Sequence, residues 1–138
     1  MSGGDTRPPL GTLLLIEPDG LLRSTVASVC RDMQLVQVQQ ATSVAMAEPM
    51  LKSGLADGLL ISLAEGESSL ACLSRLRAGG FGCDASLPVA VMAREGDPAL
   101  IKQLKALEVR RLLLQPYRLR DVIQTVEQLW SARAGACV

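Results

Sequence analysis

The sequence predicts a single α/β domain, in which a parallel five-stranded sheet is covered by helices on both faces. Short aliphatic runs alternate along the chain with longer segments whose apolar residues recur every three or four positions. Glycine, proline or aspartate stands at most of the boundaries. The length of 138 residues is that of one domain with one core. Alternating strands and helices with short connections predict a parallel sheet with right-handed crossovers.

The first two predicted strands differ in their patterns. Residues 12–16 form an aliphatic run that ends at Glu17-Pro18-Asp19, which predicts a strand buried on both faces. Residues 21–33 have the apolar stripe of an amphipathic helix, and Asp19 is its expected N-cap. Residues 35–39 alternate apolar and polar side chains, so we expect a second strand with one wetter face, near an edge of the sheet.

The second helix is predicted over residues 44–51. Thr42 or Ser43 is the expected N-cap, and Gly54 is the expected stop. Pro49 lies inside this segment and has no backbone N–H to donate. We therefore expect the helix to bend or to end early at Pro49.

The remaining elements repeat the pattern. The third strand and helix are predicted over residues 58–63 and 69–77, the fourth over 88–92 and 99–107, and the fifth strand over 109–114. Asp97 followed by Pro98 predicts the N-cap and first position of the fourth helix. One apolar stripe marks the last helix, formed by Leu119, Val122, Ile123, Val126, Leu129 and Trp130. The elements together predict a flavodoxin-like doubly wound (βα)5 three-layer sandwich with strand order 2-1-3-4-5.

Composition excludes several classes of function. Fourteen basic and fourteen acidic side chains cancel, so there is no overall charge for nucleic acid or an anionic membrane. The chain has no histidine, and its four cysteines (Cys30, Cys72, Cys83 and Cys137) show no CxxC spacing, which argues for free thiols over zinc ligands. Gly-rich nucleotide-binding motifs are absent. No signal peptide or membrane-length apolar run is present, so we expect a cytoplasmic location.

Several short motifs lie at the starts or ends of the predicted strands. They are Glu17-Pro18-Asp19, Asp57 before the third strand, Pro88-Val89 at the fourth and Gln115-Pro116-Tyr117 after the fifth. Over residues 12–131 the chain resembles the receiver domain of bacterial response regulators. Receivers accept a phosphoryl group on an aspartate that ends strand three, and that aspartate and an acidic pair after strand one hold Mg²⁺. A threonine or serine ends strand four, and a Lys-Pro pair follows strand five.

Carried onto this sequence, the receiver site is degenerate. The acidic pair falls on Glu17 and Pro18, the phosphoacceptor on Ser62, the strand-four hydroxyl on Ala93 and the lysine on Gln115. A proline cannot ligate a cation, and a serine hydroxyl without a base does not attack a phosphoryl donor as a carboxylate does. The resemblance therefore implies a pseudo-receiver that binds no metal or cofactor and is not an enzyme.

The resemblance has two further implications. The aromatic switch residue of strand five falls on Leu112, so both the hydroxyl and the aromatic part of the receiver switch are missing, at Ala93 and Leu112. The Gln115–Pro116 peptide bond is expected to be cis, because the Lys-Pro bond of receivers generally is.

The charge is polarised along the chain. Residues 1–101 contain seven basic and eleven acidic side chains, and residues 102–138 contain seven basic and three acidic ones. Six basic residues follow the region of helix four, strand five and helix five: Lys102, Lys105, Arg110, Arg111, Arg118 and Arg120. Receivers commonly dimerise or contact their outputs through this face. The plainer alternative is that these are solvated ends of helices and loops.

Three functions are compatible with these observations. The favoured one is a phosphorylation-independent interaction or dimerisation module, whose partners are a histidine kinase, a regulator, an output domain or a second copy. The second is a regulator phosphorylated at an unusual site such as Ser62, Asp19 or Asp57. The third is a small enzyme, but the chain lacks the histidine, nucleophile elbow and clustered carboxylates that would support this function. Residues 1–11 and 132–138 are predicted to be a disordered N-terminal tail and a frayed C-terminal tail or linker, and Trp130 is predicted to lie against the core.

Overall fold

A computed structural model describes residues 11–130, in which five strands form one parallel sheet between two layers of helices. The strands are β1 (Thr12–Ile16), β2 (Gln37–Ala41), β3 (Gly58–Ser62), β4 (Val89–Ala93) and β5 (Arg111–Leu114). The helices are α1 (Gly20–Asp32), α2 (Val44–Lys52), α3 (Glu67–Arg77), α4 (Pro98–Ala106) and α5 (Leu119–Gln128), with a 3-10 turn at Leu63–Glu65. The order β2-β1-β3-β4-β5, with every pair parallel, confirms the predicted fold class.

The two faces of the sheet contact different helices. Alternate residues of the central strands, such as Leu14 and Ile61, pack with buried side chains of α2, α3 and α4. Their neighbours, such as Leu15 and Leu60, pack with buried side chains of α1 and α5. Every residue of β3 and β4 is buried, whereas β2 is largely polar and lies at one edge. The period-two and aliphatic patterns in the sequence therefore correspond to the edge and the centre of the sheet.

Two local predictions are wrong. The second strand begins at Gln37 and not at residue 35, because the N–H of Leu35 donates to the carbonyl of Cys30, 2.9 Å away, and closes the end of α1. Of the two alternatives expected for Pro49, the early end of α2 is wrong, because the helix continues to Lys52. The proline removes one hydrogen bond, while Ala47 and Leu51 stay buried on the core side of the same helix, and their packing holds the helix together.

The end of the sheet at which the parallel strands begin is called its amino edge, and the opposite end its carboxyl edge. At the amino edge, side chains form hydrogen bonds with backbone groups of neighbouring segments. The Arg77 guanidinium at the end of α3 donates to four carbonyls in the segments before β4 and β5, at distances from 2.7 to 3.2 Å: those of Ala85, Leu87, Leu107 and Glu108. The Trp130 indole N–H donates to the carbonyl of Asp57 at 3.0 Å, and the Asp57 carboxylate accepts from the backbone N–H of Thr12 at 2.9 Å. Trp130 also packs against the core, as predicted.

The described thiols are free, as predicted. Burial raises the pKa of both Cys30 and Cys72 to about 11, so neither is a ready nucleophile. Cys137 and the two predicted tails lie outside the described residues, apart from Gly11. No helix within residues 11–130 is long and apolar enough to cross a bilayer.

Candidate functional site

A cavity of 770 Å³ lies at the carboxyl edge of the sheet, where β1, β3, β4 and β5 end. The five residues that the sequence singled out for the pocket, Glu17, Pro18, Ser62, Ala93 and Gln115, all line it. They come together because parallel strands deliver their C-terminal residues to one edge. Leu112 does not line this cavity; its side chain packs against the core cluster that includes residues of α2, α3 and α4.

Glu17 is the buried acid of the cavity. It follows β1 directly, is 3% exposed, and its Oε2 accepts a hydrogen bond from the backbone N–H of Asp19 at 2.9 Å. Burial raises the pKa of Glu17, and the charge of Asp19 raises it further, while the hydrogen bonds to Asp19 and Ser62 and the charge of Arg23 act in the opposite direction. The carboxylate is therefore held in place by groups of the protein itself.

Asp19 caps helix α1, as predicted. Its Oδ1 accepts from the backbone N–H groups of Leu21 and Leu22, at 3.0 and 3.2 Å. An N-cap aspartate satisfies donors that the first helical turn leaves open and lies favourably at the positive end of the helix dipole. Pro18, between the two acids, contributes no side-chain oxygen to the cavity.

Ser62 is the last residue of β3 and is 6% exposed. Its Oγ accepts from the backbone N–H of Ala64 at 3.1 Å and thereby caps the 3-10 turn. Its carbonyl accepts from the buried hydroxyl of Ser69 at 3.0 Å. Ser62 is thus held at both its hydroxyl and its carbonyl, and it lies near enough to Glu17 to lower the pKa of that carboxyl group.

The wall of the cavity at the ends of β4 and β5 is apolar at Ala93 and polar at Gln115 and Tyr117. Ala93 ends β4 with a methyl group, and its carbonyl accepts from the N–H of Gln115 at 2.9 Å. The Gln115–Pro116 bond is cis, as predicted. Tyr117 also lines the cavity, and its pKa is raised by burial and by the charges of Glu17 and Asp19. The sequence motif Gln115-Pro116-Tyr117 did not predict that Tyr117 lines the cavity.

The donor set does not fit Mg²⁺. This ion requires near-octahedral oxygen coordination and gives up its water reluctantly. Here Glu17 is buried and hydrogen-bonded, Asp19 caps a helix, and Ser62 and Gln115 are neutral. Within residues 11–130 no three Asp, Glu or Cys side chains are grouped so that they could hold a metal ion.

The predicted interaction face is only partly available. Lys102, Lys105, Arg118 and Arg120 are exposed, and Arg111 is half-buried. Arg110 is different, because its guanidinium donates to the carbonyl of Leu129 at 2.8 Å and so ties the start of β5 to the end of α5. The same elements expose two apolar side chains, Leu114 at 41% and Leu119 at 40% exposure. The face thus combines exposed cations with exposed apolar side chains, and Arg110 is a structural residue of it.

The fold is that of CheY-like receiver domains. A response regulator from Thermotoga maritima is 21% identical, with a TM-score of 0.74 over 91% of this chain and 99% of that one. The chemotaxis protein CheY4 of Vibrio cholerae is 14% identical, with a TM-score of 0.75 over 87% and 98% of the two chains. A signal receiver domain of a two-component histidine kinase from Clostridium thermocellum is 17% identical, with a TM-score of 0.71 over 86% and 98%.

Likeness at these identities shows a shared fold. No protein-family model matches the sequence, and no curated protein matches it.

Proposed function

We propose that this chain is a pseudo-receiver, a domain of bacterial two-component signalling that acts in the cytoplasm by binding other proteins without being phosphorylated. The observation that supports this proposal is the chemistry of one cavity. Four of the five positions that correspond to the receiver pocket, Pro18, Ser62, Ala93 and Gln115, carry no charge, so they supply neither the carboxylates that hold Mg²⁺ and accept a phosphoryl group in receivers nor a cation that binds phosphate. The fifth, Glu17, already has hydrogen-bond partners in the protein.

Phosphoryl transfer needs a nucleophile and neutralisation of the negative charge on the phosphoryl oxygens. The Ser62 hydroxyl is buried against Glu17, whose negative charge would repel an incoming phosphoryl donor. A lysine or a divalent cation would offset that charge, and Gln115 supplies neither. A receiver fold whose pocket lacks these groups supports a role in which the domain signals by binding other proteins through its surface and not by phosphoryl transfer.

The surface that best supports partner binding is the face formed by α4, β5 and α5. Its exposed side chains include the cations Lys102, Lys105, Arg118 and Arg120 and the apolar Leu114 and Leu119, and this combination suits an acidic partner surface with an apolar anchor. The expected partners are a histidine kinase, a regulator, an output domain or a second copy of this chain.

Phosphorylation is tested by incubating the protein with acetyl phosphate and Mg²⁺ and measuring its intact mass. We expect no gain of a phosphoryl group. A matched control is the fourfold variant Pro18→Asp, Ser62→Asp, Ala93→Thr and Gln115→Lys, which restores the receiver set and should become phosphorylated. A stoichiometric adduct on the natural chain would contradict the proposal and favour a phosphorelay member modified at an unusual site, which fragmentation would assign to Ser62, Asp19, Asp57 or elsewhere.

Partner binding is tested by charge reversal. The double variant Lys105→Glu, Arg120→Glu should lose at least tenfold in affinity for a copurifying partner, or dissociate a homodimer in sedimentation experiments. The control is Arg31→Glu, an equally exposed cation on α1, which should bind as the natural chain does. Equal binding by all three proteins would exclude this face as the interaction surface.

A further inference from the structure

The cavity that would be a phosphorylation pocket in a receiver is apolar over most of its wall. Five apolar side chains from α1, the 3-10 turn, α3, β4 and α4 line it: Leu22, Leu63, Leu70, Met92 and Leu100. Its volume of 770 Å³ lies in the range of about 300–1,000 Å³ that is typical of small-molecule sites. A site built for hydrated phosphate and Mg²⁺ does not need such a wall.

The charges around the cavity are mainly negative. Glu17, Asp19 and Glu95 line it with one cation, Arg94. Arg94 and Glu95 are both exposed at the rim, whereas Glu17 is buried beside Ser62 on the floor. The negative potential also extends across the cavity, because the charges of Glu17 and Asp19 help to raise the pKa of Tyr117 on the far wall. An anion would be repelled here, and a cation would be attracted.

The floor still has hydrogen-bonding capacity. An ionised carboxylate offers about four lone-pair sites. The Glu17 carboxylate accepts one hydrogen bond, from the N–H of Asp19, so it can accept more from a ligand. Gln115 and Tyr117 add an amide and a phenol on the opposite wall.

We propose that this cavity binds a small organic ammonium compound with a compact apolar body, its ammonium group beside Glu17 and its body against Leu70, Met92 and Leu100. The ammonium group meets the one buried carboxylate of the cavity, and the apolar body covers leucine and methionine side chains that line it. This assigns the degenerate pocket a ligand opposite in charge to phosphate. Such a site would function whether or not α4, β5 and α5 bind a partner, so the two proposals succeed or fail separately.

Three probes that share a phenyl ring and differ in charge test this site: 2-phenylethylamine, 2-phenylethanol and 3-phenylpropionate. Binding is measured by NMR titration of the methyl groups of Met92 and Ala93. We expect the amine to bind about tenfold more tightly than the alcohol, which corresponds to one ordinary partly buried charge pair. The carboxylate should bind most weakly.

Two variants and one control variant test which residues cause the effect. Glu17→Gln should reduce the preference for the amine over the alcohol to about twofold, because it removes the charge and keeps the shape. Glu127→Gln removes an exposed charge on α5 and is the matched control, which should keep the full preference. Ala93→Leu should abolish binding of the amine and the alcohol by filling the cavity, and a cooperative thermal transition must show that this variant is folded.

If Ala93→Leu does not fold, Leu100→Phe serves the same purpose from the opposite wall. Tightest binding of the carboxylate, an undiminished preference for the amine in Glu17→Gln, or the absence of shifts at Met92 and Ala93 at millimolar amine would overturn the proposal.

Discussion

The two edges of the sheet differ in what their polar side chains do. At the amino edge, Arg77, Asp57 and Trp130 bind backbone groups of neighbouring segments and close that edge. At the carboxyl edge, Glu17, Asp19 and Ser62 bind backbone groups within two or three residues of themselves and leave a cavity between the strand ends. Polar side chains at the amino edge therefore join segments that are far apart in the sequence, while those that line the cavity contact their own neighbours and leave it open for a ligand. Glu65, which accepts from the backbone N–H of Val44 at 2.8 Å, is a long-range contact of the carboxyl edge but does not line the cavity.

Arg77→Ala should give the largest loss of stability at the amino edge. Its guanidinium donates four hydrogen bonds to carbonyls of two segments that are far apart in the sequence, one before β4 and one before β5. Burial lowers the pKa of this group. We expect a loss of about 2–4 kcal/mol in the free energy of unfolding, measured by urea denaturation. Arg31→Ala, at an exposed position, should change it by less than about 0.5 kcal/mol. If the two variants lost the same free energy of unfolding, the hydrogen bonds of Arg77 would contribute no more to stability than an exposed arginine does.

Gly58→Ala tests how tightly the same edge is packed. A Cβ at this position would lie 2.6 Å from Cζ2 of Trp130 and 3.1 Å from Cδ2 of Leu129, so the indole must move. We expect a loss of about 1–3 kcal/mol and a shift in the emission of the single tryptophan. Gly20→Ala, whose nearest neighbour would be 3.7 Å away, is the matched control and should be close to neutral. An unchanged emission spectrum in Gly58→Ala would show that the indole is not packed as described.

Glu17→Gln should give the smallest effect, at the carboxyl edge, and one that depends on pH. Burial raises the pKa of Glu17 in the folded chain above its ordinary value. Such a group adds stability fully only below its unfolded pKa of about 4.3, and this contribution is lost as the pH rises through the folded pKa. At neutral pH the variant should therefore be as stable as the natural chain or more so, and this advantage should shrink as the pH falls toward 4.

Urea denaturation of both proteins at several pH values measures this difference, since titrations common to the two cancel. An advantage of the variant that grows on acidification would mean that the folded protein favours the ionised form of Glu17.

Much of the fold was predictable because periodicity and capping are local. Asp19, Ser43 and Asp97 accept hydrogen bonds from the first turns of α1, α2 and α4, as the sequence predicted within one residue. The five pocket residues were predictable from the resemblance to receivers. Four of them end or directly follow a strand, Pro18 lies one residue further on, and the ends of parallel strands converge. Local patterns did not predict the start of β2, where the closing turn of α1 takes up Leu35, or the continuation of α2 past Pro49, where core packing outweighs one missing hydrogen bond.

By itself, the sequence determined the alternation of strands and helices, the single domain and the identity of the side chains at the strand ends. Tertiary structure decided which of these side chains have partners and which face open space. Arg110 and Arg111 look alike in the sequence, yet Arg110 binds the carbonyl of Leu129. The apolar wall of the cavity comes from five separate elements. Hydrogen bonds and cavities depend on distances between residues that are far apart along the chain, and only the packed fold sets those distances.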